Sequence, residues 1–242
     1  MVTTGDVRRV DFGYFVRPAA ETGSGAPRVE PVLGYAVAHR SGLLLFDTGI
    51  GAGEPDLDAH YRPSRRALRA ALAGVGASDR DVRWVVNCHL HFDHCGGNPD
   101  LVGRPVFVQR GELSQARTVE DYTLPHLVDF DGARYEEVDG EAEILPGVWV
   151  IPTPGHTGGH QSLAVRCVDG TVVLAGQAHD SATAYTGDQL AWRAHNDAVA
   201  GPLPQHRPWI ERLECLDPAR ILFAHDQAVW EPASSRWSAR GA

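Results

Sequence analysis

Short apolar runs broken by glycine, proline and aspartate recur along the chain. Tyr35–Ala38, Leu43–Phe46, Arg83–Val86, Pro105–Gln109, Val148–Ile151, Ser162–Cys167, Thr171–Ala175 and Ile221–Ala224 are such runs. Several are β-branched or aliphatic, which predicts buried strands. Asp169-Gly170 separates Val165–Val168 from Thr171–Leu174 and predicts a hairpin. Helical spacing appears between the strands. In Ser64–Val75, residues Leu68, Ala71, Leu72 and Val75 share one face, and Gly76 supplies a stop. Pro208–Leu216 places Trp209, Ile210, Leu213 and Leu216 on one face and ends before Asp217-Pro218. Glu112–Tyr135 and Ser181–Gln205 carry scattered aromatics without a clean period, and are expected to form irregular or partly helical lids over a site. Strands first, then helices mixed with further strands, point to an α+β fold with sheets layered between helices.

Length and composition narrow the class. The chain has 242 residues, 43% of them hydrophobic, enough for a substantial core in a single domain over residues 1–242. No internal repeat or linker divides it. A net charge of −9 argues against a dedicated nucleic-acid binder and against attraction to anionic membranes. No apolar run is long enough to span a bilayer, and the N-terminus shows no secretory pattern. Cys88, Cys95, Cys167 and Cys215 form no CxxC pair. They read as reduced thiols, which together with the missing leader predicts a cytoplasmic protein.

The chemistry concentrates in His89-Leu90-His91-Phe92-Asp93-His94, directly after the apolar Trp84-Val85-Val86. Neutral imidazole and carboxylate both suit zinc-like ions. His89 and His91 are two apart and face the same way on extended backbone. Asp93 and His94 follow where Gly96-Gly97-Asn98-Pro99 can turn the chain. One loop can therefore serve two neighbouring metals. His156 follows Thr153-Pro154-Gly155, and His225 follows Ile221-Leu222-Phe223-Ala224. Each stands just beyond an apolar run, where a strand end would hold it rigidly.

This ordered set resembles the metallo-β-lactamase superfamily of metal-dependent hydrolases. Leu44-Leu45-Phe46-Asp47-Thr48-Gly49, the HLHFDH loop, Thr153–His160 and Ala224-His225-Asp226 each look like one of its segments. HLHFDHCGGN, TPGHTGGHQS and the final AHD are most similar to the N-acyl homoserine lactone lactonases. The resemblance implies a four-layer αβ/βα sandwich with the site at one edge of two sheets. It implies one metal on His89, His91 and His156, and a second on Asp93, His94 and His225. The metal would be zinc, one or two ions, with iron or manganese as alternatives. Asp47 would keep ligating histidines oriented, and His160 would support its loop.

One departure stands out. The family places a metal-bridging aspartate where this chain has Gln177. An amide offers one neutral oxygen where a carboxylate offers two anionic ones. The site is then mononuclear, or dinuclear without a protein bridge, or completed by His179 or Asp180. The lactonases also carry a substrate-binding tyrosine where Asp180 stands, and Tyr185 is the nearby aromatic that would replace it. The implied activity is hydrolysis of an ester, lactone or thioester by a metal-activated water, with Asp93 passing a proton to the leaving group. The expected partner is a small acyl-bearing substrate, with a homodimer left open. A mononuclear iron dioxygenase or other redox member of the superfamily, and a non-catalytic binding protein, are the competing classes.

Overall fold

The computed structural model describes residues 2–232. Twelve strands form two sheets. The strands of the first sheet are β1 (Val7–Arg17), β2 (Arg28–His39), β3 (Gly42–Phe46), β4 (Ser64–Arg65), β5 (Val82–Val86), β6 (Pro105–Gln109) and β7 (Arg134–Val138), in the spatial order β4-β1-β2-β3-β5-β6-β7. The second sheet contains β8 (Ala142–Leu145), β9 (Val148–Pro152), β10 (Gln161–Cys167), β11 (Gly170–Gly176) and β12 (Pro218–Phe223), in the order β12-β11-β10-β9-β8. The α-helices are α1 (Pro55–Tyr61), α2 (Leu68–Ala73), α3 (Arg110–Thr118), α4 (Pro125–Val128), α5 (Ala182–Asn196) and α6 (Ile210–Glu214).

Strand alternation builds the layers. Leu44 and Phe46 of β3 point into the space between the sheets, where they join Val150, Leu163, Val172 and Leu174 of the second sheet. Leu45, between them in sequence, faces the other way and packs with Leu68, Ala71 and Leu72 of α2. In the second sheet Val173 and Ala175 face outward, against Tyr185 of α5 and Ile210 and Leu213 of α6. Helix, sheet, sheet, helix is therefore the layer order, as in the expected αβ/βα sandwich.

The expected strands all fall on observed ones. The hairpin turns one residue earlier than expected, with Cys167 paired to Gly170 across Val168-Asp169. The helix expected over Ser64–Val75 is shorter, because Ser64 and Arg65 pair with Tyr14 and Gly13 as an edge strand before α2 begins. Residues Ser181–Gln205 are not a lid. Their α5 lies on the outer face of the second sheet, and Tyr185 and Ala191 are buried there. All four cysteines are unpaired, with Cys88 and Cys95 buried. Among the described residues, no helix is long and apolar enough to cross a membrane.

Candidate metal centre

The expected ligands leave the ends of strands that share one edge of the sandwich. The HLHFDH loop follows β5, Thr153–His160 joins β9 to β10, and His225 follows β12. Backbone bonds lock these exits together. Asp47 N–H donates to Val86 O at 2.9 Å, Gln161 N–H to Cys88 O at 2.8 Å, and Ala224 N–H to Gly176 O at 2.9 Å. Asp47 itself is left-handed, with φ of 61°. Aspartate tolerates that region better than most residues, and the turn aims its carboxylate back at the loop. Gly96 is required by contact: a Cβ there would stand 2.1 Å from Gly51 N.

Two groups of ligand atoms result. His91 Nδ1 lies 3.1 Å from His156 Nε2, with the His89 ring 4.5 and 4.6 Å from theirs. In the second group, Asp93 Oδ2 is 3.4 Å from His94 Nε2 and 3.4 Å from His225 Nε2, and the two nitrogens are 3.2 Å apart. Ligands at zinc bond length in a tetrahedron stand about 3.3 Å apart. The second group has those edges.

The hydrogen bonds then decide the tautomers. His94 Nδ1 bonds Asp47 Oδ2 at 3.0 Å and so carries the proton. His225 Nδ1 donates to Pro31 O at 2.9 Å. In neutral imidazoles both Nε2 atoms are then lone pairs, aimed at each other and at a carboxylate oxygen. Three acceptors facing one another need a positive charge among them, from a metal ion or from a proton on His94. His89 Nε2 repeats the theme, being buried without any hydrogen-bond partner among the described residues. An orphaned ligand atom and a closed triangle of acceptors fit a metal centre.

Titration follows the same electrostatics. Burial lowers His91 to about 4 and His156 to about 3, so both are neutral at pH 7 and free to ligate. Burial also lowers His89 and His225. Burial works against a charged His94 as well, but the Asp93 and Asp47 carboxylates outweigh it and hold His94 well above its ordinary range. The position that keeps a proton most tightly is the one whose neighbours most demand a positive charge. Burial opposes the Asp93 charge, yet His94 and His225 keep it far below the usual carboxylate range.

The supporting residues divide clearly. Asp47 Oδ1 accepts Cys88 N–H at 2.8 Å, and Oδ2 accepts the Cys88 thiol at 3.1 Å as well as His94. Burial raises the Cys88 thiol, so it remains a neutral donor to Asp47 and does not ligate as thiolate. His160 accepts Gln177 N–H at Nε2 (3.1 Å) and gives Nδ1–H to Thr153 Oγ1 (2.8 Å). Both of its nitrogens are spent, and it braces the loop. Gln177 is buried on the cavity wall. The preceding Gly176 has φ of 57° and packs so closely on Cys88 that a Cβ would fall 2.5 Å from it.

Three expected residues lie elsewhere. His179 turns away to bond Asp188 at 3.0 Å between the rings of Tyr185 and Trp209. It is not a replacement ligand. Asp180 is exposed and points toward Arg28, 3.5 Å away. Tyr185 donates its hydroxyl to Glu214 at 2.5 Å inside the α5–α6 core, so it does not reach substrate.

Sequence reasoning missed Glu112. Fully buried on α3, it accepts Leu90 N–H at 2.8 Å, Thr157 Oγ1–H at 2.7 Å and the Tyr122 hydroxyl. One carboxylate thereby ties the HLHFDH loop to the His156 loop. A lone glutamate in a helical stretch carries no sequence signal of that role.

Beside the ligands opens a cavity of about 630 Å³. Phe15, Leu57, Tyr61, Phe92 and Leu124 supply its apolar wall, while His91, Asp93 and His156 stand at its floor. Residues Asp121–Pro125 line it, so the first of the two expected lids does border the site.

Comparison with known proteins agrees with this geometry. The sequence profile of the Metallo-beta-lactamase superfamily matches residues 27–225. An N-acyl homoserine lactonase from a Bacillus species is 41% identical over 152 residues, covering 56% of this chain and 58% of that protein. The chain thus spans less than two thirds of that relative's length. The N-acyl homoserine lactonase AttM of Azorhizobium caulinodans is 27% identical over 234 residues, with 86% of each chain covered. The crystal structure of a quorum-quenching N-acyl homoserine lactone hydrolase superposes with a TM-score of 0.69 at 25% identity, covering 94% of this chain and 93% of that one.

Proposed function

The chain belongs to the metallo-beta-lactamase superfamily, and from that premise we propose that it is a zinc-dependent lactonase acting on N-acyl homoserine lactones. The observation that carries the reading is the closed triangle of Asp93, His94 and His225, set beside the His89, His91 and His156 group at the floor of a cavity. His89, His91 and His156 would hold one zinc, and Asp93, His94 and His225 a second. Bound there, zinc supplies a polarised carbonyl and a water acidic enough to deprotonate near neutral pH.

The protein's own groups do the rest. Asp47 and Pro31 fix the tautomers of His94 and His225, so that their lone pairs face the centre. Glu112 keeps the two ligand loops in register. Asp93 is buried, anionic and exposed to the cavity on one side, which suits it to carry a proton to the leaving alkoxide. The wall of Phe15, Leu57, Tyr61, Phe92 and Leu124 offers apolar surface for an acyl chain and excludes water from it. Ordinary cytoplasmic placement and a small-molecule partner accompany this reading.

The test is hydrolysis of N-hexanoyl homoserine lactone, followed by proton release, with zinc-loaded and chelator-treated protein. Zinc-dependent ring opening with no oxygen uptake is expected. Full activity after complete metal removal, or oxygen consumption in place of ring opening, overturns the reading.

A further inference from the structure

The ligand groups leave one cation on the cavity wall without a role. Arg17, the last residue of β1, lines the cavity with His91, Asp93 and Gln177. Its guanidinium carbon lies 5.2 Å from the centre of the Phe15 ring. Its Nε donates to Glu30 Oε1 at 2.8 Å. Its Nη1 stands 3.6 Å from Glu21, too far for a hydrogen bond. The two Nη groups therefore make no hydrogen bond among the described residues.

The guanidinium is nonetheless held in place. Glu30, only 2% exposed, also accepts Arg28 Nε at 2.7 Å, and Arg28 continues to Asp180 at 3.5 Å. A planar fork pinned at Nε and stacked on a ring leaves its outer donors pre-aimed. Burial disfavours the Arg17 charge, but its bond to Glu30 raises its pKa, so it stays a cation.

The tyrosine hydroxyls of the wall are engaged. Tyr122 gives its proton to Glu112, and Tyr61 bonds Glu21 at 3.2 Å. Asp180, exposed and at the position where the resembled lactonases carry tyrosine, is held ionised, for its partial desolvation is outweighed by Arg17, Gln177 and Arg28. A carboxylate accepts and cannot donate. A substrate with two carbonyls, one at the ring ester and one at the side-chain amide, still needs a donor for the one away from the metal ligands.

We propose that Arg17 is a specificity-determining residue whose Nη groups hold the amide carbonyl oxygen of an N-acylated lactone. The assignment rests on the lactonase reading above. It makes the acylamino group, and not the ring alone, the recognised element. A site built to bond a carbonyl discriminates against an analogue that lacks it.

The experiment compares N-hexanoyl homoserine lactone with γ-butyrolactone, which has the ring but no amide, in zinc-loaded parent, R17K and R17M proteins. For R17M, kcat/KM on the acylated lactone is expected to fall about 10- to 100-fold, mostly through KM, as for a lost charged hydrogen bond. R17K should recover part of this, because it restores charge without the fork. Activity on γ-butyrolactone and zinc content should stay within about twofold of the parent. Should R17M unfold because Glu30 has lost a partner, the R17M/E30Q pair removes that charge and gives the same comparison. Equal losses on both substrates, or no loss on either, overturn the proposal while the lactonase reading stands. A parent protein that opens neither lactone overturns the lactonase reading, and the role of Arg17 with it.

Discussion

At Gln177 one side chain changes what the centre can hold. A carboxylate there would present two anionic oxygens to two cations, whereas the amide presents one neutral oxygen. The surrounding candidate ligands are all present, with His94 and His225 both oriented through Nδ1 and His89 Nε2 lacking any partner among the described residues. The deficit is therefore confined to this one position, in anionic charge and in a bridging oxygen. Gln177→Asp should tighten the more weakly held zinc at least ~10-fold, the scale on which groups around a metal alter affinity. Competition with a chromogenic chelator measures it. Unchanged affinity for both ions would show that position 177 does not face them.

At the scale of elements, the centre is made by loops that begin where apolar strands end. β5, β9 and β12 deliver their histidines to one edge because strand ends are anchored by the ladder and their exits are not. The loops after β3 and β5 pack backbone to backbone, and at Gly96 they leave no room for a side chain. Gly96→Ala should push the HLHFDH loop off Gly51 and lower zinc content by at least half, while far-UV circular dichroism keeps the spectrum of the sandwich. Normal zinc content in that variant would show that the contact relaxes freely.

The same scale separates what was legible from what was not. β3, β5, β9, β10 and β11 are readable as apolar runs because at least one face of each is buried in the middle of a sheet. β1 escaped notice because Asp11 and Gly13 break its alternation at a bulge, where the register shifts between Asp11 and Tyr14. β7 and β8 lie at sheet edges and carry charges, so their pattern is weak. Tyr185 was misplaced because an aromatic near the site in sequence sits on a helix whose buried face looks the other way.

For the whole molecule, metal and stability are linked through protons. Without metal, His91 in the folded state is lowered to about 4, below its ordinary 6.5. Between those values the unfolded chain binds more protons, so stability falls as pH drops from 6.5 toward 4. His156 acts in the same direction, but it stands at the solvent edge and water trims its share. His94 has the opposite sign. Raised by Asp93 and Asp47 against burial, it stabilises the fold below 6.5 and loses that contribution as pH rises. Metal-free protein should therefore be most stable near neutral pH and weaken on both sides, in urea titrations run across the range. Zinc should remove the alkaline decline, because it replaces the proton that His94 loses. A metal-free protein whose stability is flat from pH 4 to 9 would contradict this account.

Strand alternation and HxHxDH spacing are local properties written in consecutive residues, so most strands and the HLHFDH loop were legible in the sequence, while the sandwich and the candidate ligands His156 and His225 came with the resemblance to the superfamily. Only the tertiary structure decided which polar groups serve those ligands. Glu112 became a tie between two loops, and His179 and Tyr185 became core residues. Arg17 became a cavity residue pinned at Nε by Glu30, its Nη groups without a hydrogen bond among the described residues. Each of these roles depends on which distant side chain lies within hydrogen-bond reach, and no local pattern encodes that distance.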